Sequence, residues 1–201
     1  MDRYREHIRL PGFDYRENHA YFVTVCTGSR SCIFGAVAEG KVQLTQRGIV
    51  VEQCWKDVPN HHPFVELDEM VVMPNHFHAT IFFVGNDVAA TPASPIRSPA
   101  HGPLSRSLSA VIGSFKSAVT RTVNQMRPGT GQGLWQPNFY EHIIRTDRGL
   151  NLIRDYITNN PGQWAQDEHN PAAQSPVPFD RWLAARGMGD AGVAATEATL
   201  P

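Results

Sequence analysis

Apolar positions along this chain follow two periods, and each period predicts one type of element. Apolar runs rich in β-branched and aromatic residues predict strands at 21–27, 69–73 and 79–84, and an alternating stretch within 135–145 predicts another. Apolar residues three and four apart predict helices from Thr45 to Pro59, from about 105 to 126 and from about 147 to 160. The order of these elements predicts an α+β fold, a ferredoxin-like sandwich with a mainly antiparallel sheet and helices largely on one face.

Changes in composition divide the chain into three parts. Residues 1–19 are polar and are predicted to form an N-terminal arm, and residues 20–170 are predicted to form one domain with a flexible Ala/Pro/Ser/Gly-rich loop at 85–103. After residue 170 the composition shifts to Ala, Gly and Pro, which predicts a mostly disordered tail over 171–201 that carries one apolar island at 179–183. The length of 201 residues fits one domain with appended segments.

The formal net charge of −1 means that a nucleic-acid partner needs a local basic surface. The stretch 97–127 carries five basic residues and no acidic one. The apolar stripe of the helix at 105–126 leaves Lys116 and Arg121 off the core, so that both are free to meet a phosphate backbone. A basic solvated helix face is the alternative.

Three cysteines without Cys-x-x-Cys spacing argue against a disulfide framework or a thiolate zinc site. They indicate a reducing compartment. No apolar run approaches membrane-spanning length, and the N-terminus lacks the apolar core of a signal peptide. We therefore expect a cytoplasmic protein without a membrane partner.

The candidate chemistry begins at MPNHFH, residues 73–78, between two predicted strands. Side chains two apart on a strand point to the same face, so His76 and His78 project side by side while Phe77 faces the other way. Two imidazoles on a rigid strand make half of a divalent-metal site. A His-x-His pair alone is a weak signal, because such residues are commonly ordinary surface polar groups.

The last predicted helix carries groups that could complete this site. Tyr156 and Asn160 are four apart, so they lie one above the other on one helix face. Asn160 would give an oxygen ligand, and Tyr156 would be a nucleophile once a metal screens or removes its proton. The alternative is that Tyr156 packs its ring and Asn160 caps the helix before Pro161.

Three ordered motifs resemble the single-tyrosine HUH transposases, closest to the REP-associated tyrosine transposases. They are VVMPNHFH at 71–78, WQPNFYEHIIR at 135–145 and DYITNNP at 155–161. Residues 21–27 and 114–118 are also similar to that family, and the resemblance spans roughly residues 9–171.

The resemblance implies a metal-dependent strand transferase, an endonuclease of DNA transposition and recombination that acts on single-stranded DNA. His76 and His78 match the metal-binding pair, Asn160 matches the third ligand, and Tyr156 matches the catalytic tyrosine. It further implies Mg or Mn as the cofactor, a 5'-phosphotyrosine intermediate with a free 3'-OH, and recognition of DNA hairpins. Relatives occur as monomers and as homodimers that supply the tyrosine in trans, and both states stay open here.

Rival residues and DNA contacts come from the second motif. Tyr140 is the rival nucleophile beside Glu141 and His142, which are otherwise polar groups behind the site or on the sheet surface. Further candidates for stacking on bases or holding phosphates are Trp135, Arg145, and Arg9 and Arg16 of the arm, whereas Phe139 is expected in the core.

Two other functions remain compatible with these residues. One is a DNA-hairpin-binding protein that keeps the scaffold without cleaving, and the other is a metal-dependent RNA-binding protein. The presence of His76, His78, Tyr156 and Asn160 together favours the enzyme.

Overall fold

The computed structural model describes residues 20–84, 106–126 and 133–188. Its strands are β1 (Ala20–Cys26), β2 (Gly35–Ala38), β3 (Lys41–Leu44), β4 (Val65–Val72), β5 (His76–Phe83) and β6 (Tyr140–Ile144). Its helices are α1 (Gln46–Lys56), α2 (Val58–His61), α3 (Leu108–Met126), α4 (Asp147–Asn159), the 3₁₀ segment Asn160–Gln166 and α5 (Phe179–Ala184). The predicted arm 1–19, with Arg9 and Arg16, and the predicted loop 85–103 lie outside the described residues. No helix in the described part combines the length and apolarity that crossing a bilayer requires.

The main sheet has the strand order β4-β5-β1-β6, and every neighbouring pair is antiparallel. Strands β2 and β3 form a separate two-stranded ribbon. Counting only the four strands of the main sheet, the chain runs β-α-β-β-α-β, which is the ferredoxin-like arrangement. The predicted α+β class with an antiparallel sheet is therefore confirmed.

Helices cover both faces of this sheet, which differs from the expectation that they lie largely on one. Tyr21, Val23 and Val25 of β1 face one way, into a core formed with α1 and α3. Phe22 faces the other way, into a second core formed with α4 and α5. Because β1 is a central strand whose apolar residues point to both sides, each face needs a covering layer.

The helix starts follow local chemistry. The Thr45 hydroxyl accepts the backbone N–H of Gly48 and caps α1 as predicted, and Thr146 caps α4 by accepting from Gly149. Gly48 is needed for a second reason, since a Cβ there would lie 2.2 Å from the Phe34 carbonyl oxygen. The closely packed start of α1 therefore depends on glycine.

Helix α4 is tied to the sheet of its own chain by a bidentate ion pair. Arg154 donates from Nε to Asp68 Oδ2 at 2.8 Å and from Nη2 to Asp68 Oδ1 at 2.9 Å. Two parallel hydrogen bonds to a carboxylate fix orientation as well as distance. The ion pair therefore helps to hold α4, the helix that carries Tyr156, against β4.

The segment 171–188 is ordered, which corrects the expectation of a mostly disordered tail in this part of the chain. Helix α5 buries Phe179, Trp182 and Leu183 in the core that also contains Tyr156. The Phe179 ring stacks on Phe22 with 4.4 Å between centroids. The apolar island at 179–183 is ordered because it covers the second sheet face; residues 189–201 lie outside the described part.

Candidate active site

The His76 and His78 side chains lie side by side at the start of β5, on the face covered by α4 and the 3₁₀ segment. In the register of β1 with β5, Cys26 is opposite His76 and Thr24 is opposite His78. Both imidazoles are buried, and their Nε2 atoms are 3.0 Å apart. The period of two along the strand predicted this shared face from sequence.

Asp167 completes a three-residue group that the sequence reasoning missed. Its Oδ2 lies 3.7 Å from His76 Nε2, and one donor atom from each of His76, His78 and Asp167 lies within 4.8 Å of the others. Asp167 is only 4% exposed and directly follows the 3₁₀ segment. A single aspartate after a helix is not part of a periodic sequence pattern. It is recognised as a candidate ligand only in the structure, where it is buried beside two imidazoles.

Each histidine is held at its other ring nitrogen. Asn75 Oδ1 lies 2.9 Å from His76 Nδ1, and Thr24 Oγ1 lies 2.8 Å from His78 Nδ1. Such partners behind a ligand orient the ring and decide which nitrogen carries the hydrogen. Both Nε2 atoms consequently point toward each other, and that of His76 also faces Asp167 Oδ2.

Tyr156 lies next to this group, on the buried face of α4. Its ring centroid is 5.4 Å from that of His78, and it is enclosed by Phe22, Phe179 and Trp182 at 5.9, 5.0 and 5.0 Å. The phenol is 5% exposed. The sequence-predicted tyrosine and histidines are thus neighbours within one chain.

Asn160 is a near neighbour of both the tyrosine and the carboxylate. Together these three residues line a cavity of about 40 Å³. A cavity of this size holds a water molecule or a small ion.

The donor set fits a divalent cation on two observations. Asn160 Oδ1 and Asp167 Oδ2 are buried and make no hydrogen bond, and unsatisfied buried oxygens are costly. The Nε2 atoms of His76 and His78 are 3.0 Å apart, which is close enough for one ion with ligand distances of about 2.1 Å to bind both. His76, His78 and Asp167 would hold the ion, and Asp167 also lines the cavity that contains Asn160.

Burial sets the charge states at this site. The pKa values of His76 and His78 lie well below the usual range, because burial and the neighbouring imidazoles disfavour the charged form. The imidazoles are therefore neutral and can donate lone pairs. Burial, followed by the Asp167 and Glu168 carboxylates, raises the pKa of Tyr156, so its phenol is protonated at neutral pH. A nucleophilic role for Tyr156 requires a nearby positive charge.

His169 and Cys26 are two further neighbours that the sequence reasoning did not place here. The His169 ring centroid is 4.6 Å from that of His76, and its Nδ1 lies 3.7 Å from Cys26 Sγ. Burial raises the pKa of the Cys26 thiol to about 12, so the sulfur is protonated at neutral pH. Cys26 therefore acts here as a small packing group.

The rival residues on β6 have other partners. Tyr140 Oη donates to Asp180 Oδ1 at 2.5 Å, which ties β6 to α5. The His142 ring contacts Phe179, with 5.7 Å between centroids. Glu141, which lies between Tyr140 and His142 in the sequence, is half-buried. Tyr140 thus donates to Asp180 and not to His142.

Two of the predicted DNA-contact residues are engaged in the fold. The Trp135 ring is 8% exposed, lies 5.1 Å from Phe34 and 5.9 Å from Phe115, and its Nε1 donates to the Lys116 carbonyl. The Lys116 ammonium donates to the carbonyls of Gln136, Pro137 and Asn138 at 2.5, 3.1 and 3.4 Å. This corrects the expectation that Lys116 is free for phosphate and that the Trp135 ring is available for base stacking. Arg121 and Arg145 are exposed, and DNA contact by them stays a prediction.

We expect Lys116→Met to lower the free energy of unfolding by roughly 1–3 kcal/mol, because three carbonyls lose a charged donor. Arg121→Met on the same helix removes an exposed charge and should change it by no more than about 0.5 kcal/mol. Urea unfolding of both variants measures the difference. If the two variants are equally stable and only Lys116→Met loses DNA binding, Lys116 contacts a DNA phosphate and does not stabilise the fold.

The chain resembles known proteins in sequence and in fold. No protein-family model matches it. A protein of Haemophilus influenzae strain Rd, described as uncharacterized, is 36% identical over 169 residues, which covers 82% of this chain and 92% of that protein. Among solved structures, a REP-associated tyrosine transposase bound to a REP hairpin superposes with a TM-score of 0.53 at 20% identity, covering 100% of this chain and 95% of the other.

Proposed function

This chain belongs to the same family as the Haemophilus influenzae protein and has the fold of a REP-associated tyrosine transposase, and we propose that it cuts and rejoins single-stranded DNA. One observation carries the proposal: Tyr156 lies beside a buried group of two histidines and an aspartate, 5.4 Å from the His78 ring. A phenol beside a cation-binding donor set is the arrangement that phosphoryl transfer through tyrosine needs.

In the proposed reaction, Tyr156 Oη attacks a DNA phosphorus. The Oη–P bond forms while the P–O3' bond breaks, and the products are a 5'-phosphotyrosine link and a DNA strand with a free 3'-OH. Reversal by a 3'-OH rejoins DNA without an external energy source, because the phosphodiester bond is exchanged and not hydrolysed. Asn160, which lines the same cavity as Tyr156, would hold the phenol in place.

His76, His78 and Asp167 would hold a divalent cation, Mg or Mn, with Asn160 as a further oxygen donor. When bound, the cation supplies positive charge for the scissile phosphate and for the phenolate. The tyrosine would be supplied in cis, since the Arg154–Asp68 ion pair and the second core dock α4 on its own sheet. This favours a monomer over a homodimer with exchanged helices.

The proposed substrate is DNA that folds into hairpins. The solved relative is bound to a REP hairpin, which supports this class of substrate. Exposed Arg121 and Arg145 would contact phosphates from α3 and from the end of β6, and Arg9 and Arg16 are further candidates. Tyr156 is 5% exposed and packs against Phe179 and Trp182 of α5, so α5 would have to move for a DNA phosphate to reach the phenol.

A denaturing gel tests the proposal. Hairpin DNA with a single-stranded extension is incubated with the protein and Mn²⁺, Mg²⁺ or a chelator. We expect a denaturant-resistant adduct that carries a 3'-terminal DNA label, a shortened product that carries a 5'-terminal label, and neither product with the chelator. Adducts that carry only the 5'-terminal label would mean the opposite polarity of cleavage.

The second candidate function is a hairpin-binding protein without cleavage, and the near-complete burial of Tyr156 favours it. It predicts hairpin binding in a gel-shift assay with no adduct across sequences and metals. The same set of reactions therefore separates the two functions, since each predicts a different gel.

A further inference from the structure

The two candidate metal ligands on β5 have chemically different partners at Nδ1. His76 meets the amide oxygen of Asn75, whereas His78 meets the hydroxyl of Thr24. An amide oxygen only accepts hydrogen bonds, and a hydroxyl both donates and accepts. The two imidazoles are therefore constrained in different ways.

The hydrogen position on His76 follows from the contacts of Asn75. Asn75 Nδ2 donates to the carbonyls of Arg30 at 2.9 Å and His169 at 2.7 Å, which uses both amide hydrogens. The amide oxygen therefore faces His76 Nδ1 and accepts its hydrogen. In neutral His76, Nε2 then carries a lone pair directed at His78.

The hydrogen position on His78 follows from that of His76. Two lone pairs at 3.0 Å repel, so in the cation-free protein His78 Nε2 carries the hydrogen and donates it to His76 Nε2. His78 Nδ1 is then an acceptor, and Thr24 Oγ1 donates to it at 2.8 Å. A cation cannot bind His78 in this tautomer, because the ligand lone pair at Nε2 is replaced by N–H.

We propose that Thr24 is the positioning residue that lets His78 change tautomer when a divalent cation binds. The Thr24 hydroxyl donates to Nδ1 of cation-free His78 and accepts from Nδ1–H of the cation-bound ring. The hydrogen leaves Nε2 and appears at Nδ1, so the ring stays neutral and the count of hydrogens is unchanged. The inference rests on the metal site of the proposed function.

The location of Thr24 suits this role. It is 3% exposed and lies directly opposite His78 in the register of β1 with β5. The buried Nδ1 of His78 has the Thr24 hydroxyl as its hydrogen-bond partner in either tautomer, and loss of that partner would leave Nδ1 unsatisfied. Thr80 is a natural comparison, since it is also buried, lies two residues from His78 on the same strand, and its hydroxyl makes no hydrogen bond.

Mn²⁺ affinity of the DNA-free protein, measured by calorimetry, tests the proposal with three variants. Thr24→Val keeps the shape and removes the hydroxyl, and we expect it to weaken binding about 10- to 100-fold, the usual cost of losing a partner behind a ligand. Thr24→Ser restores the hydroxyl and should bind within about threefold of the wild type. Thr80→Val removes a hydroxyl that hydrogen-bonds to neither ring and should also bind within about threefold.

The tautomer of His78 is a second readout, measured on the wild-type protein by long-range ¹H–¹⁵N spectra with Zn²⁺ as a diamagnetic probe. We expect Nε2–H on His78 without the cation and Nδ1–H with it, while His76 keeps Nδ1–H in both. This measurement does not depend on whether Thr24→Val folds.

Thr24→Val affinity within threefold of the wild type, or Nδ1–H on cation-free His78, would overturn the proposal. If wild-type protein forms the DNA adduct in either case, the proposed function survives and only the role of Thr24 is wrong. If wild-type protein binds neither Mn²⁺ nor Zn²⁺, the metal site itself is wrong and both proposals fail together.

Discussion

Tyr156→Phe is expected to abolish the covalent protein–DNA adduct, with a loss of at least about 1,000-fold. The substitution removes only the oxygen that would bond to phosphorus. The ring keeps its contacts with Phe22, Phe179 and Trp182, so the second core and the DNA-binding surface should be preserved. Adduct yield on a denaturing gel and hairpin affinity in a gel-shift assay measure the two effects separately.

Tyr140→Phe is the matched control, because it removes the same group from a neighbouring tyrosine of the same core. It breaks the hydrogen bond to Asp180 and should lower stability slightly while adduct formation continues. Adduct formation by Tyr156→Phe together with its loss in Tyr140→Phe would make Tyr140 the nucleophile.

A mixture of Tyr156→Phe with His78→Ala should stay inactive if each chain supplies its own tyrosine.

Asp167→Asn is expected to weaken Mn²⁺ binding by at least about 100-fold. Loss of a direct carboxylate ligand costs more than the 10- to 100-fold typical of partners behind a ligand. The amide is nearly isosteric, so packing after the 3₁₀ segment should be retained. Calorimetric titration of the DNA-free protein gives the affinity, and Asp180→Asn, which alters another carboxylate near the same core, should leave it unchanged.

The same titration decides between the two candidate third ligands. Asn160→Ala removes the amide oxygen expected from the family resemblance, and we expect a smaller loss of about 10-fold because a neutral oxygen contributes less charge than a carboxylate. Asp167→Asn binding Mn²⁺ within threefold of the wild type would exclude Asp167 as a ligand. Equal losses in both variants would mean that both oxygens bind the ion.

The local periodicity of the sequence predicted most of the strands and helices, and it predicted which candidate site residues share a face of one strand or helix. The period of two placed His76 and His78 on one face of a strand, and the period near four placed Tyr156 and Asn160 on one face of a helix. All four residues are buried in the structure, and His78 contacts Tyr156. Each inference needed only residues within four positions of one another along the chain.

Where sequence reasoning failed, the deciding contact joins distant parts of the chain. Lys116 was expected to be free, yet its ammonium binds carbonyls of the segment before β6. Trp135 was expected to stack on bases, yet it fills a gap between Phe34 and Phe115. The residues next to Lys116 or Trp135 in the sequence do not indicate these contacts.

The amino-acid sequence by itself determined the α+β class, the histidine pair and the phenol on a helix face, because side-chain direction within an element follows from its backbone period. Only the tertiary structure decided that Asp167 joins the histidines and that α5 covers Tyr156. The physical reason is that the period tells which face of an element is apolar, whereas the surface that covers this face depends on how separate elements pack.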